Sequence, residues 1–316
     1  MKGQIASLLR KQRQRILVIV DDIDRLTAEE IRQIFRVIKA VADFPKVTYL
    51  LAFDRDIIIR ALEAAQEIRG EAYLEKVVQL PLELPLPDKG KLEDLLLGRL
   101  NALLAGTPKT LFDQNYWKNV YNEGIRPFIN TPRDVIRLTN VLAVTYQAVR
   151  GEVNPVDFMA MEVLRAFYPT VYDIIRKHPL DFARSAERPV DTSTSHDLKP
   201  RYNSILDLVP PEEKSTIKRL LGRLFPRVAT VWGGSTYGAE WDTEWRKRLF
   251  VRSADIFPAY FRLSILGDGI PHAEMQALLA LAHDAKAFGA KLVESLESAD
   301  AAQTLLLQEE AYFLAQ

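Results

Sequence analysis

Five consecutive apolar residues, Ile16 to Val20, run into two acids, Asp21 and Asp22. An unbroken, mostly β-branched run of this length predicts a strand buried on both faces, as in a parallel sheet. Ahead of it, Ile5, Leu8 and Leu9 fall at helical spacing within Gln4 to Gln14. Behind it, Thr27 and Glu30 stand at the spacing of a capping box, and Ile31, Ile34, Phe35, Ile38 and Val41 mark one face of the helix it opens. A second buried strand is expected over Val47 to Phe53. Asp54-Arg55-Asp56 then opens a helix over Ile57 to Glu67, and Val77 to Leu84 reads as a third extended run, interrupted by Pro81 and followed by Pro85 and Pro87. Strands alternating with helices at this spacing imply right-handed crossovers and a parallel sheet. Three strands are few for such a sheet, so an unpaired, adhesive edge is expected.

From Lys89 onward the periodicity is almost wholly helical. Leu92 to Leu104 is amphipathic, and Thr131-Pro132-Arg133 offers an N-cap followed by proline at the first helical position. That helix is expected to reach Gly151, a residue suited to a helix C-terminus. Asn154-Pro155 repeats the start signal ahead of Phe158 to Arg176. Asp191 to Lys199 and Gly233 to Gly238 read as loops, and the last helices are expected around Pro271 to Leu296 and Asp300 to Leu314. The fold class is therefore α/β, with a partial parallel-sheet core over residues 1–88 and a larger all-α domain over 89–316.

Composition removes several function classes. Lys+Arg and Asp+Glu are equal at 42 each, so no net charge points to nucleic acid or an anionic membrane. No cysteine is present, which rules out disulfides, thiolate metal sites and a cysteine nucleophile, and fits a reducing cytoplasm. Apolar runs are far too short to span a bilayer. His178, His196, His272 and His283 have no metal-ligand spacing, and Tyr237 occupies the position where a G-x-S-x-G elbow needs its second glycine. Trp232, Trp241 and Trp245 beside Arg246, Lys247 and Arg248 could stack on single-stranded nucleic acid, although tryptophans at helical spacing more often pack in a core.

The chemistry concentrates at the end of the first strand. A strand that delivers two carboxylates at its C-terminal end has the form of a Walker B motif, because ligands of parallel α/β sheets lie outside the carboxyl ends of the strands. There Asp21 would be the magnesium-side acid and Asp22 the acid that orients the attacking water. The bland alternative is a polar turn after a buried strand. Asp21-Asp22-Ile23-Asp24-Arg25 resembles the DDxDR signature of the KAP family of P-loop NTPases. Three further segments resemble the family's in the same order: Tyr49 to Asp54; Tyr73 to Pro81 with Leu84-Pro85; and Asn130 to Asn140 with its Thr131-Pro132-Arg133-Asp134 helix start. The resemblance implies ATP with Mg²⁺, a γ-phosphate-sensing role for Asp54, and a phosphate-reaching role for Arg133. Helix capping by Asp54 and a surface salt bridge for Arg133 are the competing readings. Arg25 and Arg55 could serve a neighbouring subunit as arginine fingers, or be paired locally.

A Walker A loop needs G-x-x-x-x-G-K-[ST], since its backbone N–H groups cradle phosphate and its lysine reaches the β/γ oxygens. The 316 residues contain none. In the family that loop lies upstream, so the sequence reads as a fragment or as a degenerate relative. Three functions follow in order: an ATP-dependent switch or motor module that works with a protein partner or as a homo-oligomer; a nucleotide-independent interaction scaffold; and a helical nucleic-acid-binding module.

Overall fold

The computed structural model describes residues 2–41, 44–65, 70–183, 192–234, 240–262, 272–281 and 283–298. The chain divides into two compact units, Met1–Pro85 and Leu86–Gln316.

The first unit contains α1 (Lys2–Lys11), β1 (Ile16–Val20), a 3₁₀ turn at Ile23–Arg25, α2 (Ala28–Val41), β2 (Val47–Leu51), α3 (Arg55–Ala65) and α4 (Gly70–Leu74). β1 and β2 pair in parallel, from Ile16 opposite Val47 to Val20 opposite Leu51. α2 starts where expected. The Thr27 backbone N–H donates to Glu30 Oε2 at 2.9 Å, and the Glu30 N–H donates back to the Thr27 hydroxyl at 3.4 Å. The Thr27 N–H and the Thr27 hydroxyl, which donates to the same oxygen at 2.8 Å, hold the Glu30 carboxyl below the usual carboxylate range. Ile31, Phe35 and Ile38 of α2 and Ile58 and Leu62 of α3 pack with Ile23, Leu74 and Val77, with Val20, Leu51 and Phe53 against them. The Phe35 and Phe53 rings meet edge-on at 5.8 Å.

Two expectations fail in this unit. The strands are covered on one face only: Leu17, Ile19 and Leu50 on the other face are 58%, 63% and 48% exposed. The apolar run therefore reports a surface that needs cover, and no described residue supplies it. Val77 to Leu84 is not a strand, and the described sheet has two strands rather than three. Proline at 81, 85 and 87 cannot donate to a ladder, and Leu80, Leu82, Leu84 and Leu86 all stand 72% or more exposed.

Every regular element among the described residues of the second unit is helical: α5 (Lys89–Leu103), α6 (Gln114–Val120) running into a π-helical turn (Tyr121–Ile125), α7 (Pro132–Val149), α8 (Pro155–Phe167), α9 (Pro169–Lys177), α10 (Pro179–Phe182), α11 (Thr192–Asp207), α12 (Lys214–Leu224), α13 (Pro226–Val231), α14 (Glu240–Lys247), α15 (His272–Ala280) and α16 (Ala285–Ser298). α7 ends as its sequence implies, with Gly151 at φ 87° two residues past Val149. The single helix expected over Phe158 to Arg176 is broken at Tyr168, because Pro169 lacks the N–H needed to continue α8 and instead starts α9. Asp191 to Lys199 was expected to loop, yet α11 begins at Thr192 and carries Pro200 inside it. Leu198, Tyr202, Ile205 and Val209 are buried at helical spacing, so packing overrides the weak local preference. The helix expected over Asp300 to Leu314 lies outside the described residues.

α8 is the hub of this unit. Asn154 Oδ1 accepts from the N–H groups of Val156 and Asp157, and its amide donates to the carbonyls of Leu111 and Arg248, both at 3.1 Å. About two turns further on, Glu162 is 1% exposed and held by Arg165 at 3.2 Å. Burial pushes the Glu162 carboxyl above its ordinary value of 4.5, with Arg165 opposing. The folded chain therefore keeps a proton that the unfolded chain has already released, so folding stability falls as pH rises from the ordinary glutamate range through the folded pKa. Glu162→Gln is expected to remove that slope, so that its urea midpoint gains on the parent's as pH rises above the ordinary glutamate value of 4.5. Tryptophan fluorescence at several pH values checks this, and a parent that gains on the variant with rising pH would refute it.

Candidate functional site

Parallel pairing places the carboxyl ends of β1 and β2 together. The Ala52 N–H donates to the Val20 carbonyl at 2.9 Å, so Asp21 and Asp22 leave the sheet at the same end as Asp54, three residues past Leu51. All three acids are exposed. Asp22 adopts the left-handed conformation, φ 58° and ψ 28°, which aspartate tolerates better than most side chains. Its N–H donates to Asp21 Oδ1 at 2.8 Å. The next residue, Ile23, is fully buried and anchors the turn. Successive carboxylates on a strand end with such a twist leave the backbone in different directions, so one can face a metal's water shell while the other faces elsewhere.

The remaining expected residues divide. Asp54 Oδ1 accepts from the N–H groups of Asp56 at 3.0 Å and Ile57 at 3.1 Å, so it caps α3 as the competing reading held, with Oδ2 unbonded to any described residue. Arg25 is ion-paired with Asp22 at 3.0 Å and Arg55 with Glu71 at 2.6 Å, so both are paired locally. Arg133 belongs to the second unit, at the start of α7. It is exposed and makes no hydrogen bond or ion pair with another described residue. Its helix start is fixed by the Thr131–Asp134 capping box, in which the Thr131 N–H donates to Asp134 Oδ2 at 2.8 Å.

The donor set suits Mg²⁺, which takes hard oxygen ligands and keeps several waters, using only one or two carboxylates. Asp21 has one carboxylate oxygen on the Asp22 N–H and the other without a hydrogen bond to a described residue. No group of three or more potential metal ligands occurs among the described residues.

Elsewhere the aromatic-basic run is divided between packed and exposed positions, with Trp241 45% exposed. Trp245 is 3% exposed, Arg248 pairs with Asp113 at 2.8 Å and Arg246 with Asp255 at 3.5 Å. Among the described residues no helix is long and apolar enough to cross a membrane. Sequence reasoning did not find the Asp22–Arg25 pair; its i, i+3 spacing was the available signal.

Residues 1–149, from α1 to the end of α7, match the KAP family P-loop domain. The phage T7 exclusion protein of Escherichia coli strain K12 is 30% identical over 176 residues, which is 55% of this chain and 24% of that protein. The chain thus spans about a quarter of that relative's length. No solved structure matches the chain at a significant level. The tandem acids, the β2 strand end and the Thr131 helix start all lie inside the segment, residues 1–149, that is similar to the KAP family P-loop domain.

Proposed function

We propose that this chain supplies the magnesium-side and water-side acids of an ATP-hydrolysing site, completed by a phosphate-binding loop from outside these 316 residues. The observation that carries it is the convergence of Asp21, Asp22 and Asp54 at the carboxyl end of a parallel strand pair within a P-loop family segment. In this reading Asp21 holds the magnesium water shell, and Mg²⁺ supplies charge neutralisation of the triphosphate when bound. Asp22 orients the attacking water and accepts its proton, which requires its carboxylate to exchange Arg25 for that water. Asp54 contributes the oxygen its capping role leaves over. The nucleotide state is read out to a protein partner or a second subunit.

The 316-residue chain by itself is expected to bind Mg-ATP weakly or not at all. Most phosphate recognition in such sites comes from the backbone nest and lysine of the missing motif, and exposed carboxylates repel a polyanion. Titration calorimetry on this chain, and on a form extended to include a GxxxxGK[ST] loop, tests the reading. Micromolar affinity in the short chain would show that the site lies elsewhere; no affinity in the extended form would leave the second reading. That second reading, a nucleotide-independent interaction module, draws on the uncovered apolar face of Leu17, Ile19 and Leu50.

A further inference from the structure

The second unit holds a cleft of about 480 Å³ where the starts of α7 and α9 meet the turn before α12. That is within the size range of ligand pockets. Its walls are aromatic: Phe128 lies 6.2 Å from Phe167 in a stacked arrangement and 5.4 Å from Tyr168 edge-on. Its polar side chains are two carboxylates, two hydroxyls and an amide, all able to accept hydrogen bonds. The Glu213 carboxylate, the Tyr168 hydroxyl and the Thr170 hydroxyl make no hydrogen bond or ion pair with another described residue. Asp134 spends Oδ2 on the α7 cap and leaves Oδ1 unbonded, and Asn130 donates its amide to the Pro127 carbonyl, which leaves its Oδ1. No lysine or arginine lines the cleft.

The carboxylates of Glu213 and Asp134 beside aromatic faces favour a ligand that donates hydrogen bonds and carries positive charge. A guanidinium meets both demands, with five N–H donors and a planar cation that stacks on rings. Phe167 already receives one: the Arg137 guanidinium lies 5.4 Å from its ring centre. At the rim, Leu208 is 54% exposed beside Pro210, an apolar strip matched to an arginine's methylene stem. We propose that this cleft docks an arginine side chain of a protein partner. It lies within the second unit, and the proposal does not depend on nucleotide binding.

Saturation-transfer NMR on the full chain tests it, with a short glycine-serine peptide carrying one arginine as the probe. The citrulline version of that peptide, the glutamate version and free arginine are the comparisons. The arginine peptide is expected to bind at least about fivefold more tightly than the citrulline peptide, which has the same shape without the charge. Glu213→Gln should weaken it by a similar factor, and Thr170→Trp, at an exposed position, should fill the cleft and abolish binding. Equal binding of the citrulline or glutamate peptide, or binding unchanged in both variants, overturns the proposal. Free arginine binding as tightly as the peptide would also overturn it, by making the occupant a small cation instead of a protein side chain. Circular dichroism of both variants confirms that any loss is local.

Discussion

Asp157→Ala is expected to destabilise the second unit by about 3–5 kcal/mol, the range for removing one partner of a buried ion pair. Asp157 is fully buried near the start of α8, and everything around it is arranged for a carboxylate. The Tyr116 hydroxyl donates to Oδ1 at 2.5 Å, the Val251 N–H donates to Oδ2 at 2.9 Å, and the Arg252 guanidinium lies 3.6 Å away. Arg252 also donates to the Tyr116 hydroxyl and packs 4.3 Å from the Phe250 ring centre. Burial pushes the Asp157 carboxyl upward and the Tyr116 hydroxyl well above its ordinary value, with Arg252 opposing both. Alanine would strand a buried cation, a phenol and a backbone N–H together, and little water can reach them. Asp157→Asn keeps the shape and some of the hydrogen bonds, so it should cost clearly less. All four tryptophans, Trp117, Trp232, Trp241 and Trp245, lie in this unit, so urea unfolding followed by their fluorescence reports on it alone. A loss below about 1 kcal/mol for alanine would mean that the network is not a stability determinant.

In a form of the protein that carries a Walker A loop, Asp22→Asn is expected to retain Mg-ATP binding and lose about 10²–10⁴-fold in hydrolysis, the usual contribution of a positioned general base. Asp21→Asn should instead weaken the magnesium-dependent part of binding. Asparagine matches aspartate in size and also tolerates φ 58°, so the substitution removes charge and basicity without straining the turn. It also breaks the ion pair with Arg25, but at an exposed site such a pair contributes little. Thr27→Ala is the control. It removes a helix cap, at a cost of about 1 kcal/mol, and should leave turnover per folded molecule unchanged. Single-turnover hydrolysis and nucleotide binding on the three variants decide the matter. Near-normal turnover in Asp22→Asn would return the tandem acids to a polar turn after a strand.

What the sequence made legible was local. The capping box at Thr27, the Thr131-Pro132 start, the Asn154-Pro155 start and Gly151 each depend on contacts within a few residues, and the structure has all four. The strand pair and the acids at its end follow from the same short-range pattern. Apart from the break before Pro169, where the signal was local, the misreadings are questions of distant partners. Leu80 to Leu86 alternates like a strand, but alternation shows only which side would be buried if a ladder existed, and the prolines withhold part of that ladder. Thr192 to Asp207 looks polar from within, and only the burial of Tyr202 and Ile205 by other helices makes a helix of it. The cluster around Asp157 joins residues 41 and 94 positions apart, and no periodicity encodes such a pairing. Its one local trace was the acid in the first turn of a largely apolar helix, where a dipole contact is the usual explanation.

The left-handed turn at Asp22 has a consequence for how sequence drift at this site should be interpreted. A lineage that abandoned hydrolysis would be released from keeping a base at this position but not from keeping the turn. Asparagine and glycine would then be its accessible replacements, while β-branched residues would stay excluded by sterics alone. A small polar residue retained here is therefore weak testimony to activity. Asp21 carries no such backbone demand, because its φ is not positive. Loss or retention of its carboxylate across descendants would record selection on chemistry, undiluted by selection on shape.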